Sequence, residues 1–343
     1  MKIGFTYNSK TDWVLSANDP LDANAELDKP KTIESIIKAF EWGGHQVKRI
    51  GNVDNLLAQL DDLDVDIVFN ICEGFRGRNR ESQVPILLEM RGIPFVGSDA
   101  LTLGITLDKA VAKKCFIADG LPTPSFALMH KVSDCDAIGH LRFPLIVKTC
   151  HEGTSKGLTD QSRVETPERL RQQVEYIIRT YRQPALVEEF ISGTEFTVPV
   201  LGNDQPQAMP VAQVCMDGST DLGDKFYTFA RVCSPNLRYV CPAKLSREAA
   251  KEIQNLAVRA YQSVGCRDFG RIDFRVDRQG QPYILEINPL PSLDGEDVFN
   301  IFPKLLGSSY NAVLNQIIDF ACHRYGLKSS EKATAISHPQ ERR

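Results

Sequence analysis

Two short segments, Gly270-Arg271-Ile272-Asp273-Phe274 and Tyr283-Ile284-Leu285-Glu286-Ile287-Asn288-Pro289, alternate apolar and polar residues. In an extended chain successive side chains point to opposite faces, so Arg271 and Asp273 share one face of a strand, and Glu286 and Asn288 share one face of the next. A turn centred on Gln279-Gly280 pairs Asp273 with Glu286 and Arg271 with Asn288. One surface then collects two carboxylates, an amide oxygen and a guanidinium. Such an oxygen set suits Mg²⁺, which is held by one or two carboxylates together with phosphate oxygens. A solvated sheet face with two cross-strand ion pairs would carry the same residues.

A second constellation is Phe143-Pro144-Leu145-Ile146-Val147-Lys148, followed by the loop Thr149 to Gly157 with Gly153, Thr154, Ser155 and Gly157. A lysine ending an apolar strand and a flexible loop can direct an ammonium and several backbone N–H groups at phosphate oxygens. No G-x-x-x-x-G-K-[ST] loop occurs, and a hairpin loop beside a snorkelling lysine would read alike. Third, Leu186 to Glu195 places Glu188, Glu189 and Glu195 beside an apolar strand end. Backbone groups there can read a base edge, and a carboxylate can accept from ribose hydroxyls. Taken singly, each glutamate is also an ordinary surface charge.

These groups need elements to hold them. The periodicity predicts a strand over residues 1–7, a polar loop through Asp28, a helix over 32–42 stopped by Gly43-Gly44, then strands at 46–50, 65–70 and 94–96 separated by helices near 56–60 and 84–90. That βαβ rhythm argues for a parallel, helix-covered sheet in an N-terminal unit, residues 1–98. A central unit, 99–184, holds a helix over 108–118, strands at 126–129 and 144–149, and a helix over 166–181. A third, 185–326, holds strands at 186–190, 194–201 and 208–214, a helix over 246–264, the paired segments described above and a closing helix over 309–324. The polar tail, 327–343, is expected to be disordered.

Composition narrows the function. The chain has 343 residues, 42% hydrophobic and 24% charged, enough for two or three packed units. Lys+Arg 40 against Asp+Glu 44 gives a net charge of -4, and no basic stripe stands out, which argues against nucleic acid as a partner. Nine cysteines are scattered singly, without C-x-x-C, as expected of reduced thiols in a cytoplasmic protein. No window is apolar enough for a signal sequence or a membrane span.

In one order along the chain, Asp108-Lys109, the F-P-L-I-V-K run ending at Lys148, the Gly153 to Gly157 loop, Glu188 to Glu195, G-R-I-D ending at Asp273 and L-E-I-N ending at Asn288 resemble the ATP-grasp superfamily, and within it D-alanine:D-alanine ligase. Gly92 to Ser98 and Gly120 to Pro124 match as well, so the resemblance covers roughly residues 65 to 320. It implies an α/β chain of the α+β ATP-grasp type, a parallel-sheet pre-ATP-grasp domain followed by two α+β subdomains that clamp ATP. By the same resemblance Lys109 and Lys148 bind ATP phosphates with Thr154 and Ser155 closing over them. Glu188, Glu189, Phe226 and the backbone near Ile191 border the adenine, and Glu195 holds the ribose. Asp273, Glu286 and Asn288 ligate two Mg²⁺ ions, with Mn²⁺ a substitute. Arg271, with Ser155, acts catalytically by meeting the oxyanion that forms as an amine attacks an acyl phosphate. A homodimer is also implied.

The departures lie at the substrate end. The family's N-terminal ammonium anchor is not evident in Gly4 to Lys10, and its H-G-x-x-G-E-D loop is replaced by Asn70 to Glu81, which carries Glu73, Arg76, Arg78 and Arg80. Its lid motif becomes Phe226 to Val232 with Arg231 near a lysine position, its G-M-T becomes Ser292-Leu293-Asp294, and an acceptor-binding Ser-Leu becomes Asp297-Val298. The expectation is a carboxylate–amine ligase for small amino acid and carboxylate substrates, with Arg76, Arg78 and Arg80 clamping an acidic or polyhydroxy molecule. D-Alanyl-D-alanine synthesis is one form of this reading. Its rival is a specialised ligase of natural-product biosynthesis, such as one attaching serine or threonine to a mycosporine-type acceptor. From another class, a nucleotide-binding regulatory module without chemistry would keep the same fold. The loop from Asp217 to Ser234 is expected to act as a lid.

Overall fold

The computed structural model describes residues 1–17, 19–232 and 234–328. The first unit alternates β1 (Lys2–Tyr7), α1 (Pro30–Trp42), β2 (Gln46–Gly51), α2 (Val53–Gln59), β3 (Ile67–Ile71), α3 (Gln83–Met90) and β4 (Phe95–Val96). Its four strands lie in the order β2-β1-β3-β4, all parallel, as the βαβ rhythm predicts. Two helices, α4 (Ala100–Leu107) and α5 (Lys109–Ala118), lead out of it. Asp99 and Asp108 cap them through hydrogen bonds to the amides of Thr102 and Val111. The sequence reading missed α4, whose apolar residues run almost without the polar face that marks a surface helix.

The central sheet contains β5 (Phe126–Met129), β6 (Leu145–Thr149), β7 (Arg163–Val164) and, after α6 (Pro167–Tyr181), β8 (Ala185–Glu189), in the antiparallel order β5-β8-β6-β7. β8 pairs with both β5 and β6, so residues 185–189 belong to the central sheet rather than the third unit. The amphipathic α6 covers this sheet, burying Leu170, Val174 and Ile177 against Leu145 and Val147.

The third sheet runs β12-β11-β9-β13-β14 with β10 beside β9. Its elements are β9 (Gly193–Leu201), β10 (Gln207–Ala208), β11 (Ala212–Met216), α7 (Phe229–Val232), β12 (Leu237–Val240), α8 (Arg247–Ser263), β13 (Phe269–Asp277) and β14 (Pro282–Asn288). The strand expected over 208–214 is two strands, parted at Met209-Pro210, since proline cannot donate to a ladder. On β13, Ile272 and Phe274 point to the core under α8, where Ala257 and Tyr261 are fully buried, while the alternate residues face away.

Last come α9 (Val298–Leu305) and α10 (Tyr310–Tyr325). They return to the N-terminal sheet: Phe299, Phe302, Val313, Leu314 and Ile317 share one core with Ile3, Phe5, Ile36, Phe40 and Phe69. The expected tail lies outside the described residues after Lys328. Among the described residues no helix is long and apolar enough to cross a membrane, and eight cysteines are free thiols.

Candidate active site

A cavity of about 550 Å³ opens among the three sheets. The β13–β14 ladder supplies one wall in the register expected from sequence: Asp273 pairs with Glu286 and Arg271 with Asn288. Asp273 accepts four hydrogen bonds, one of which gives way when the carboxylate ligates an ion. Its Oδ1 accepts from Thr197 Oγ1 at 2.6 Å and Arg271 Nε at 3.0 Å, and its Oδ2 from Arg271 Nη2 at 2.8 Å and Asn288 Nδ2 at 3.0 Å. The Asn288 amide therefore turns its nitrogen to Asp273 and keeps its oxygen for another partner. Glu286 sits 3.3 Å from Lys109 Nζ. Burial acts to raise its pKa, but Lys109, Lys148 and Arg271 outweigh that and hold it low. Two carboxylates and an amide oxygen on a cavity wall, balanced by cations, fit a hard divalent ion.

The opposite wall is built on a buried carboxylate. Glu188 on β8, 1% exposed in its side chain, meets Lys148 of β6 at 2.8 Å and Lys113 of α5 at 3.1 Å. Its carboxylate is thus committed to two lysines rather than free to read a base. Burial pushes Lys113 down to about 8 even with Glu188 beside it, and its Nζ donates to Thr123 Oγ1 at 2.7 Å. Lys113 escaped the sequence reading, although it follows Lys109 by four residues on one helix face. Glu189 lines the cavity, with its carboxylate turned to Arg142.

Glu195 is held by Arg275, the next residue on the Arg271–Asp273 face of β13, at 2.7 Å. Its other oxygen, Oε2, is buried without a hydrogen-bond partner, the kind of vacancy a ligand hydroxyl fills. Burial pushes this carboxyl up to about 7 against the pull of Arg275. Arg275 also donates to the carbonyls of Gly223 and Lys225, tying the loop over the cavity to the sheet, and lies 4.7 Å above the Phe190 ring. Phe190 and Phe226 meet edge to face, and with Ile191 they make the apolar part of the lining.

The glycine-containing loop closes the near end. Thr154 and Ser155, at φ 48° and 54°, both adopt the left-handed conformation that non-glycine residues seldom take. Glu26, from the polar loop before α1, accepts from the Gly153 amide, and Asp22 accepts from the Gly157 amide at 2.7 Å. Nothing in the sequence pattern marked these two acids. Glu26 also meets Arg80 at 2.8 Å and Lys156 at 3.4 Å. Burial would raise its pKa, but these cations hold it at about 2.

The chain matches a family model described as D-ala D-ala ligase C-terminus over residues 116–319. Uncharacterized protein y4sG of Sinorhizobium fredii is 33% identical over 300 residues, 85% of this chain and 88% of that one. The D-alanine--D-alanine ligase of Mannheimia succiniciproducens is 30% identical over 294 residues, 84% of this chain and 91% of its own. This chain belongs to the D-Ala–D-Ala ligase family. The solved structure of the Bacillus anthracis D-alanine--D-alanine ligase complexed with ATP has the same ATP-grasp fold, with TM-score 0.72 and 20% identity over 95% of this chain and 99% of that one.

Against this family background the substrate-end residues sort unevenly. Glu73, Ser292 and Asp297 line the cavity. Arg76 and Arg78 do not: both are exposed, and Arg78 turns to Asp108 at 2.5 Å. Arg80 is buried but spent on Glu26, Glu152 and the His151 carbonyl. Arg231 sits outside the cavity, bonded to Asp160 and to the Phe226 carbonyl. No arginine clamp faces the cavity, because Arg78, Arg80 and Arg231 each meet a carboxylate of the protein and the exposed Arg76 does not line it. The loop expected as a lid does cover the cavity: Phe226, Tyr227, Phe229 and Ser234 line it, and the Phe229 amide donates to the Leu158 carbonyl at 3.2 Å. Cys233 of that loop lies outside the described residues.

Proposed function

We propose that this family member condenses two amino acid-like substrates through an acyl phosphate. One substrate carboxylate attacks the γ-phosphorus of ATP, releasing ADP. An amine then attacks the acyl carbon, and the tetrahedral oxyanion collapses to an amide as phosphate leaves and the amine nitrogen gives up its proton. The observation that carries this reading is one cavity lined by the Arg271, Asp273, Glu286 and Asn288 face together with Lys109, which pairs with Glu286, and Lys148, which pairs with Glu188.

Lys109 and Lys148 neutralise the phosphoryl oxygens, with Thr154 and Ser155 folded over them. Glu195 Oε2 takes a ribose hydroxyl, and Ile191, Phe190 and Phe226 enclose the base. Asp273, Glu286 and Asn288 would hold Mg²⁺, which supplies charge neutralisation to the transferring phosphoryl group. Arg271, fixed by its two bonds to Asp273, presents a preorganised cation to the oxyanion. The loop from Asp217 to Ser234 excludes water from the acyl phosphate.

Asp297 favours a substrate pair other than two D-alanines. It lies 3.5 Å from Arg271 and lines the cavity, where a carboxylate would repel an acceptor carboxylate. Cytoplasmic residence and a homodimer complete the reading, the first resting on the free thiols. The test is ADP and phosphate release with Mg²⁺ and ATP over a panel of L- and D-amino acids, using ¹⁸O-carboxylate donors. Label appearing in phosphate supports the acyl phosphate. Amide formation with unlabelled phosphate overturns that step, and a protein that binds ATP without turnover under any pair belongs to the regulatory reading.

A further inference from the structure

The substrate end of the cavity is charged in the opposite sense to a site for acidic molecules. Glu73 and Glu81, from the segment after β3, and Asp28, from the loop before α1, all line it. None forms an ion pair within 4 Å among the described residues, and no N–H group donates to any of the three carboxyls. Glu81, 7% exposed, has another acid, Glu73, beside it. The cations that could have served them are committed elsewhere. Arg80 bonds Glu26 and Glu152, Lys156 bonds the same two acids, and Lys29 bonds Asp294. Lys10 lines the rim and faces Asp28 from beyond ion-pair distance.

Glu81 is buried and Asp28 and Glu73 are half-buried; Lys10, Arg80 and Lys109 act on them only from beyond ion-pair distance, and a cation that enters with the substrate satisfies them. A single α-ammonium would match one of them and leave two. Building on the ligase reading, we propose that one of the joined substrates is a diamino acid, whose α-ammonium and side-chain ammonium both seat against Asp28, Glu73 and Glu81. Burial raises all three carboxyls, so part of the cluster keeps its protons until that cation arrives. The arrangement also selects by exclusion, since an acidic or plain aliphatic side chain placed there leaves the carboxyls unpaired.

The test uses the full chain with Mg²⁺ and ATP. ADP release and product mass are measured with lysine, ornithine and 2,4-diaminobutyrate of both chiralities against norleucine, alanine and glutamate, each paired with a common set of partners. A charge-assisted contact predicts a kcat/KM for the best diamino acid at least about tenfold above that for norleucine. Glu81→Gln and Asp28→Asn, which keep shape while removing charge, should shrink that ratio severalfold, with ATP binding by thermal shift showing that the variants are folded. Turnover in which norleucine or alanine equals or beats every diamino acid overturns this inference and leaves the ligase reading standing. A ratio unmoved by both variants also overturns it, and absence of turnover with every pair overturns both.

Discussion

Lys113 approaches Glu188 to 3.1 Å from a helix, while Lys148 closes on the same carboxylate at 2.8 Å from a strand, with all three side chains buried. The lysine that faces the cavity is therefore positioned by a carboxylate that a second lysine holds in place, and α5 is locked to the central sheet by charge as well as by packing.

Removing one partner from such a cluster leaves charge uncompensated in the interior. Lys113→Met should cost about 3 kcal/mol of stability, the lower end of the range for broken buried pairs because Lys148 remains. Pairing it with Glu188→Gln should recover part of that loss. Urea unfolding of the two variants checks this, and a single variant as stable as the parent would show the cluster contributes nothing.

Arg271 is held in a fork by both oxygens of Asp273. Lysine cannot reproduce that geometry. Arg271→Lys should lower kcat by about 10²–10³-fold, typical of losing a preorganised charge at a developing oxyanion, with the KM for ATP changed only a few-fold. A variant whose KM for ATP rises while kcat holds would move Arg271 from the acyl step to nucleotide binding.

Stability should depend on pH in a definite direction. Burial, with Asp294 nearby, raises Asp28 from 3.8 to about 7, so the folded state keeps a proton that the unfolded chain has released. The contribution is whole below about 3.8 and is lost as pH rises through about 7, at a slope of up to about 1.4 kcal/mol per pH unit between them. Glu195, raised from 4.5 to about 7, adds a slope of the same sign. Glu26, held at about 2, acts the other way, and its contribution fades as pH falls below 4.5. Urea midpoints from pH 4 to 8 should flatten in Asp28→Asn, and an unchanged slope in that variant would reject the assignment.

Gly157 has φ +82°, and a Cβ there would lie 2.7 Å from Thr149 Cγ2. Gly157→Ala should push the loop carrying Thr154 and Ser155 out of position and raise the KM for ATP about tenfold, through strain on the order of 1–2 kcal/mol. Steady-state kinetics at varied ATP would show it, and an unaltered KM would mean the loop adjusts freely.

The strand pairing was legible because it rests on local rules. Period-two alternation and a glycine turn sufficed to set Asp273 opposite Glu286. Arg275, two residues further on the same face, follows the same rule, although its carboxylate partner, 80 residues away, leaves no local trace. Glu26 and Asp22 reach the Gly153 to Gly157 loop from a segment without periodicity, so only the assembled fold brings them together. The arginines of the segment after β3 misled in sign. Their composition suggests a free cationic surface, whereas Arg80 is consumed by acids that arrive from elsewhere in the chain.

The core shared by Phe5, Phe40 and Phe69 with Phe299, Leu314 and Ile317 bears on how the protein is made. Asn315 even donates to the Ala39 carbonyl at 2.8 Å, across 276 positions. During synthesis the N-terminal sheet leaves the ribosome with one side uncovered, and nothing completes it until residues beyond 320 have been translated. The nascent chain thus carries exposed apolar surface on that sheet for most of its synthesis. Translation of α9 and α10, rather than emergence of the first hundred residues, sets the moment at which that unit can close.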